Sequence, residues 1–157
     1  MKFSSTKSVC VNFENKRGIR PDKNLNIGDD VNQFMDSVKF LGVHFDCHLT
    51  FKPHLQYTKT RCFKALTLLK VTAARGLCAD RDANLMLYRT LVRSKLDYGS
   101  IVYSYSRPSY LKKLNTIQNQ CLRIALNAYC TSPAASLRVK AKEQPIDLRH
   151  LQLAMMY

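Results

Sequence analysis

The chain contains little of what marks several common protein classes. Its 157 residues include only five glycines, which are scattered singly, so no glycine-rich phosphate-binding loop is present. No run of about 18 apolar residues occurs, which excludes a transmembrane helix. Residues 1–7 hold no apolar run, so we expect no secretory signal. Because 46% of the residues are apolar, these absences leave a folded intracellular domain.

Cysteine and histidine offer no recognisable metal motif. The six cysteines lie far apart and no two form a CxxC pair, so we expect free thiols. Cys47 lies near His44, His48 and His54, but on a strand His44 and His48 would share one face while Cys47 points away. We therefore predict no metal site. A Cys–His nucleophile remains open, because its partners would meet only in the fold.

Acidic residues are scarce and unevenly placed. The chain has 25 Lys and Arg against 11 Asp and Glu, a net charge of 25 − 11 = +14. Residues 1–51 account for 7 − 6 = +1 and residues 52–157 for 18 − 5 = +13. Residues 52–79 and 98–142 contain no acid at all. A folded segment with so much positive charge repels itself unless a polyanion is close, and nucleic acid is the commonest intracellular polyanion.

Two other interpretations of this charge stay open, a solvated helical face and an acidic membrane surface. No helical pattern here combines a segregated apolar face with aromatic anchors, so we predict no membrane partner. Four tyrosines, Tyr98, Tyr103, Tyr105 and Tyr110, surround Arg107. They could stack on bases or pack a helix junction, and the sequence does not decide between the two. Charge and helical position favour six residues as phosphate contacts: Lys59, Arg61, Lys64, Arg107, Lys112 and Arg123.

The periodicity of the apolar residues changes near residue 52. Before that point, alternation predicts strands over 7–13 and 38–45 and a short strand at 25–27, together a small antiparallel sheet. From Pro53 onward, apolar residues recur at helical spacing, with helices opening near Pro53, Asp80, Pro108, Pro133 and Pro145. The predicted fold class is α+β, with a β-rich domain over 1–51 and a basic helical domain over 52–157.

Four segments together resemble reverse transcriptases of jockey-type non-LTR retrotransposons. Residues 2–13 (KFSSTKSVCVNF) resemble the segment that follows the catalytic aspartates. Residues 39–46 (KFLGVHFD) with 49–54 (LTFKPH) are similar to the primer-grip hairpin and the start of the thumb. Residues 87–103 (LYRTLVRSKLDYGSIVY), and 122–126 (LRIAL) followed by 131–133 (TSP), are similar to the thumb. Their order along the chain makes the resemblance specific.

The resemblance implies a role for each segment. Residues 1–51 would be the C-terminal edge of the palm, with Phe40, Leu41 and Gly42 as the primer grip, and residues 52–157 would be the thumb and connection. Lys7 would lie near the incoming nucleotide as a general acid for the departing pyrophosphate, or be a solvated lysine. Gly42 would let another backbone approach closely, or form a bulge.

The resemblance also implies what this chain lacks. The family's catalytic aspartate pair would precede Lys2, so we expect a fragment that is inactive in polymerisation by itself, with Mg²⁺ required only by the full polymerase. The implied partners are an RNA template, a DNA primer or their hybrid, and the remainder of the polymerase chain, in the nucleus and cytoplasm. The alternatives are a stand-alone basic nucleic-acid-binding module, a protein-interaction module, and a fragment whose unpaired strands fold poorly.

Overall fold

The computed structural model describes residues 8–14, 25–27, 30–32, 34–75 and 80–156. It separates into two compact units, Met1–His54 and Leu55–Tyr157. The first contains two small antiparallel hairpins, and the second is helical. The predicted α+β class, with a small antiparallel element followed by helices, is therefore confirmed. Lys7 lies outside the described residues.

The strands of the first unit form two separate two-stranded sheets rather than one. Strands β1 (Leu25–Ile27) and β2 (Asp30–Asn32) pair with each other, as do β3 (Ser37–Phe40) and β4 (Val43–Asp46). The strand predicted over 7–13 was wrong in its described part. Residues 8–14 make only one isolated parallel bridge, between Cys10 and Phe34, and one bridge does not make a strand. Alternating apolar residues indicate that a segment can form a strand, but a strand forms only when a neighbouring strand pairs with it.

The hairpin of β3 and β4 turns through two residues with positive φ. Leu41 has φ 45° and Gly42 has φ 82°, the signs that a type I′ turn requires at both central positions. This turn matches the right-handed twist of the flanking strands, so it fixes the register in which Phe40 faces Val43. Glycine adopts this conformation readily, whereas leucine does so at a cost of about 1–2 kcal/mol.

The loop from β4 to the first helix is organised by Asp46. Its Oδ1 accepts a hydrogen bond from the Phe51 backbone N–H at 2.7 Å. Its Oδ2 accepts bonds from the Thr50 N–H at 3.0 Å and the Thr50 hydroxyl at 2.7 Å. Burial alone would raise the pKa of Asp46, but these hydrogen bonds to the ionised form outweigh it and lower the pKa. The same bonds help to hold Leu49 and Phe51 at positive φ, 50° and 55°.

Proline and acidic residues open the helices near the predicted positions. The helix that was predicted from Pro53 begins one residue earlier, at Lys52. The helix that was predicted from Pro108 begins at that residue. The helices are α1 (Lys52–Ala74), α2 (Arg81–Tyr88), α3 (Ser94–Asp97), α4 (Ser100–Tyr103), α5 (Pro108–Ala125), α6 (Ala134–Ala141) and α7 (Ile146–Met155). The short helix α4 was not predicted.

Helices α2 and α3 are joined by a π-helical turn over Arg89–Arg93, so residues 81–97 form a continuous helical stretch. The sequence predicts one uninterrupted α-helix here, because a single inserted residue leaves no mark on the apolar spacing. Gly99 then ends the stretch in the left-handed conformation, with φ 70°, as the Tyr98-Gly99 pair predicts.

The core of the second unit draws on most of its helices. Tyr88 is fully buried, and its hydroxyl accepts a hydrogen bond from the Gln118 side chain at 3.3 Å. His150 is buried edge-on against Tyr103, with ring centroids 5.4 Å apart. The Tyr103 hydroxyl donates to the Leu96 carbonyl, which also lies 3.2 Å from His150 Nε2. The other fully buried large side chains are Cys62, Leu69, Val92, Leu96, Leu114, Ile117, Cys121, Leu122 and Leu137.

Within the described part of the chain, no helix has the length and apolarity needed to cross a lipid bilayer.

Candidate nucleic-acid interface

The tip of the β3–β4 hairpin presents two large apolar side chains to solvent. Phe40 is 62% exposed and Leu41 is 75% exposed. Leucine at this position is therefore unfavourable twice, because its side chain faces water and its backbone is left-handed. Asparagine would suit the turn better on both counts. An apolar tip held on a type I′ turn is a contact surface with a fixed shape.

The three basic residues predicted on α1 do not share one face. Arg61 lies two residues after Lys59, which places it roughly 160° away around the helix axis. Lys64 lies on the Arg61 side, and both are exposed. Lys59 is half-buried, with its ammonium over the Phe63 ring at 5.6 Å from the centroid. Lys59 and Arg61 therefore lie on either side of the buried face of α1, and Lys64 lies on the side opposite to it.

Helix α5 carries the other three predicted residues in three different environments. Arg107 is exposed and precedes the helix. Lys112 is exposed on the side opposite the buried stripe that includes Leu114 and Cys121. Arg123 lies three turns after Lys112 on the same side, but it is half-buried and its Nη2 donates to the Ser132 carbonyl at 3.3 Å. Arg123 therefore secures the α5–α6 connection as well as carrying charge.

Part of the positive charge is neutralised inside the second unit. Glu143 is buried, and its carboxylate accepts hydrogen bonds from Arg89 Nε at 2.8 Å and from Arg93 Nη1 at 3.1 Å. Asp97 lies 3.7 Å from Arg93 Nε and 3.3 Å from Arg149 Nη2. These five side chains form an ionic network of alternating sign that ties the π-helical turn to the C-terminal helices. They are structural, and the charges available to an external anion lie elsewhere.

The tyrosines near Arg107 divide between core and surface. Tyr103 is fully buried, and burial raises the pKa of its hydroxyl far above the ordinary value. Tyr105 is 86% exposed and Tyr98 is 54% exposed. The packing interpretation therefore holds for Tyr103, whereas Tyr105 is placed so that it could stack on a base. Sequence spacing could not separate these roles, because Tyr103 ends the short helix α4, which was not predicted, and Tyr105 follows it in a turn.

Cysteine chemistry is blocked at the buried thiols. Burial raises the pKa of Cys62 to about 11 and that of Cys121 to about 12, so both stay protonated and unreactive at neutral pH. Among the residues that the structure describes, no three His, Cys, Asp or Glu side chains gather as a metal site would require. The described cysteines are free thiols, as predicted.

The sequence interpretation did not select Lys70, which faces Arg123 across a groove between α1 and α5. Lys70 lies eleven residues after Lys59, three helical turns along, and so on the same side of α1. That spacing could have identified it.

Comparison with known proteins gives three relatives of one kind. The chain is 28% identical over 85 residues to the probable RNA-directed DNA polymerase from transposon BS of Drosophila melanogaster, covering 54% of this chain and 9% of that protein. It is 27% identical over 128 residues to the RNA-directed DNA polymerase from mobile element jockey of the same organism, covering 78% of this chain and 13% of that protein.

The third relative is the retrovirus-related Pol polyprotein from type-1 retrotransposable element R1 of Bradysia coprophila. It is 24% identical over 149 residues, 92% of this chain and 15% of that protein. No family model matches the chain. No solved structure matches it either. The resemblance to retrotransposon reverse transcriptases predicted from the four segments is confirmed, and the chain spans only 9–15% of the lengths of these relatives.

Proposed function

We propose that this chain is the palm edge, primer grip and thumb of a retrotransposon reverse transcriptase, and that it holds template–primer nucleic acid. The observation that carries the proposal is the similarity to RNA-directed DNA polymerases over as much as 78% of the chain. An apolar hairpin followed by strongly basic helices, the order implied by the resemblance, supports it. Lys7, the remainder of the polymerase and its Mg²⁺ would complete the reaction centre in the nucleus or cytoplasm.

The distribution of charge suits this role. A polymerase must grip any sequence and then move along it, so its contacts go to phosphates rather than to base edges. Residues 52–157 carry a net charge of +13, and the ionic network around Glu143 engages only three of their 18 basic side chains. Lys64, Arg61 and Lys112 are exposed and can meet phosphates at little conformational cost.

The hairpin tip supplies a different contact. Phe40 and Leu41 are exposed and apolar, and they suit a sugar or base face rather than a phosphate. Because Leu41 and Gly42 fix the turn, the backbone that presents the two side chains is already ordered before contact. The proposal therefore assigns the primer contact to the tip and the backbone contact to the helices.

The test is binding of the purified chain to a short RNA–DNA hybrid, followed by fluorescence anisotropy across a salt series. With six to ten phosphate contacts, affinity should fall about 10³–10⁵-fold between 50 and 200 mM salt. Replacing one phosphate-contacting cation should reduce the slope of log K against log salt by about 1. We expect this for Lys64→Gln and not for Lys140→Gln, which removes the same charge from an exposed position on α6.

Two results would overturn the proposal. One is a chain that is helical by circular dichroism and yet binds no hybrid at 50 mM salt. The other is an identical salt slope for Lys64→Gln, Arg61→Gln, Lys112→Gln and the unaltered chain. The latter would mean that the hybrid contacts none of the exposed residues assigned here, whatever its affinity.

A further inference from the structure

A groove of about 740 Å³ runs between α1 and the end of α5 in the second unit. Cys62 on α1 and Cys121 on α5 are both fully buried. The wall on α1 includes Phe63, Leu66 and Ala73, and the wall on α5 includes Ile124. The nucleic-acid contacts proposed above account for neither the shape of this groove nor its apolar lining.

The walls combine apolar side chains with positive charge. Half of the twelve lining residues are Phe, Leu, Ile or Ala, and Phe63 is 41% exposed. Lys70 stands on one wall and Arg123 on the other, and no carboxylate is among the described residues that line the groove. The groove is therefore complementary to a ligand that carries apolar groups on one side and negative charge on its flanks.

Small side chains give such a ligand room to approach. The groove is lined by the methyl groups of Ala73 and Ala74 on α1 and of Ala128 after α5, which project little into it. A third helix packs 8–10 Å from the axes it contacts, and small residues allow the near end of that range. An amphipathic helix places apolar residues at i, i+3, i+4 and i+7 on one face and can carry acids beside them.

We propose that this groove docks an acidic amphipathic helix of a partner protein, with apolar side chains against Phe63 and Ile124 and carboxylates beside Lys70 and Arg123. A nucleic acid fits the charge but gains little from the apolar lining, because its phosphates need donors rather than hydrocarbon. Arg123 donates one bond to the Ser132 carbonyl, and its remaining N–H groups can donate to a carboxylate beside the apolar lining. This site is independent of the hybrid-binding proposal.

The test uses the full chain and a defined probe, a fluorescent 20-residue helical peptide with leucines at i, i+3, i+4 and i+7 flanked by glutamates. A matched peptide with lysines in place of the glutamates is the control. Lys70→Glu should weaken the acidic peptide at least tenfold, and Ala73→Phe should weaken it similarly by filling the groove. Lys140→Glu and Ala135→Phe, equal changes on the exposed surface of α6, should alter binding less than threefold.

Cys130 reports directly on occupancy, because it is exposed and lines the groove. Alkylation by N-ethylmaleimide, followed residue by residue by mass spectrometry, should slow about tenfold at Cys130 when the acidic peptide is present at ten times its Kd. Cys47, outside this unit, is the internal control and should react at an unchanged rate.

Three outcomes would overturn the inference: no binding of the acidic peptide, equal binding of the lysine peptide, or unchanged alkylation of Cys130 under saturating peptide. Hybrid binding is measured in parallel on the same variants. If Lys70→Glu and Ala73→Phe weaken the hybrid more than the peptide, the groove is a nucleic-acid surface. Loss of hybrid binding with peptide binding intact would instead reject the proposed function alone.

Discussion

The buried carboxylate of Glu143 should contribute more to the stability of the second unit than an exposed charge does. Its side chain is 4% exposed and accepts bonds from Arg89 and Arg93, which are 41% and 30% exposed. Replacing the carboxylate by an amide leaves one neutral acceptor oxygen for two guanidinium groups, which keep their contacts with Ala141 and Asp97 and can partly rehydrate. We expect Glu143→Gln to destabilise the chain by about 2–3 kcal/mol, below the full cost of breaking a buried ion pair.

Urea denaturation followed by circular dichroism measures this loss. Asp82→Asn is the control, because it removes an acid of the same charge from the exposed first turn of α2 and should cost only a few tenths of a kcal/mol. Equal losses for the two variants would show that the network around Glu143 contributes no more than surface charge does.

At the hairpin tip, the stability of the turn favours a residue other than leucine at position 41, whereas the proposed primer contact favours the apolar side chain of Leu41. Leu41→Asn creates the Asn-Gly pair that type I′ turns favour and should stabilise the hairpin by about 1 kcal/mol. Hydrogen exchange over residues 37–46 should then slow roughly fivefold. The same variant should bind the RNA–DNA hybrid less tightly, because the proposed primer contact has lost its apolar side chain. A tighter hairpin with unchanged hybrid affinity would remove Leu41 from the interface.

At the scale of elements, the junction from β4 to α1 makes the first unit sensitive to acid. Burial, and then the charge of His44, lowers the pKa of His54 from 6.5 to about 4. Between these values the unfolded chain binds a proton that the folded chain excludes, so stability falls as the pH drops from 6.5 toward 4. The free energy of unfolding then falls by as much as about 1.4 kcal/mol per pH unit. Asp46, whose folded pKa is lowered, loses its contribution only as the pH falls through and below 3.8.

Hydrogen exchange over residues 43–54, corrected for the intrinsic dependence on pH, tests this. Protection should be roughly tenfold or more lower at pH 5 than at pH 7. His54→Gln should abolish that difference, whereas His48→Gln, at an exposed histidine, should retain it. A difference that survives in His54→Gln would assign the acid sensitivity to another group.

The junctions between elements also show what sequence can and cannot predict. Pro53 and Pro108 mark the helix starts. Helical spacing predicts one buried face over Leu55, Cys62, Leu66, Leu69 and Ala73, and all but Ala73 are buried, because helical periodicity is local. The Arg89–Glu143 bond joins residues 54 positions apart, so no local pattern reveals it. The same reason explains why residues 8–14 carry a strand pattern without a strand. The separation of Lys59 from Arg61, in contrast, follows from their spacing of two residues and could have been predicted.

For the whole molecule, one surplus of charge should act in opposite directions on folding and on binding. The basic side chains of residues 52–157 outside the ionic network repel one another, and added salt screens that repulsion. Raising NaCl from 50 to 300 mM should therefore raise the thermal midpoint of the chain, by about 2–4 °C if screening contributes 1 kcal/mol. Over the same range the affinity for the hybrid should fall steeply, because counterions released into a more concentrated salt solution gain less entropy.

The variants separate this explanation from a general effect of salt. Lys64→Gln and Lys140→Gln each remove one repelling charge and should each flatten the salt dependence of the midpoint slightly and equally. Only Lys64→Gln should flatten the salt dependence of hybrid binding as well. A midpoint that falls with salt would mean that the attractive pairs around Glu143 and Asp97 outweigh the repulsion. In that case the excess charge would not destabilise the fold, and its binding role would come at no cost in stability.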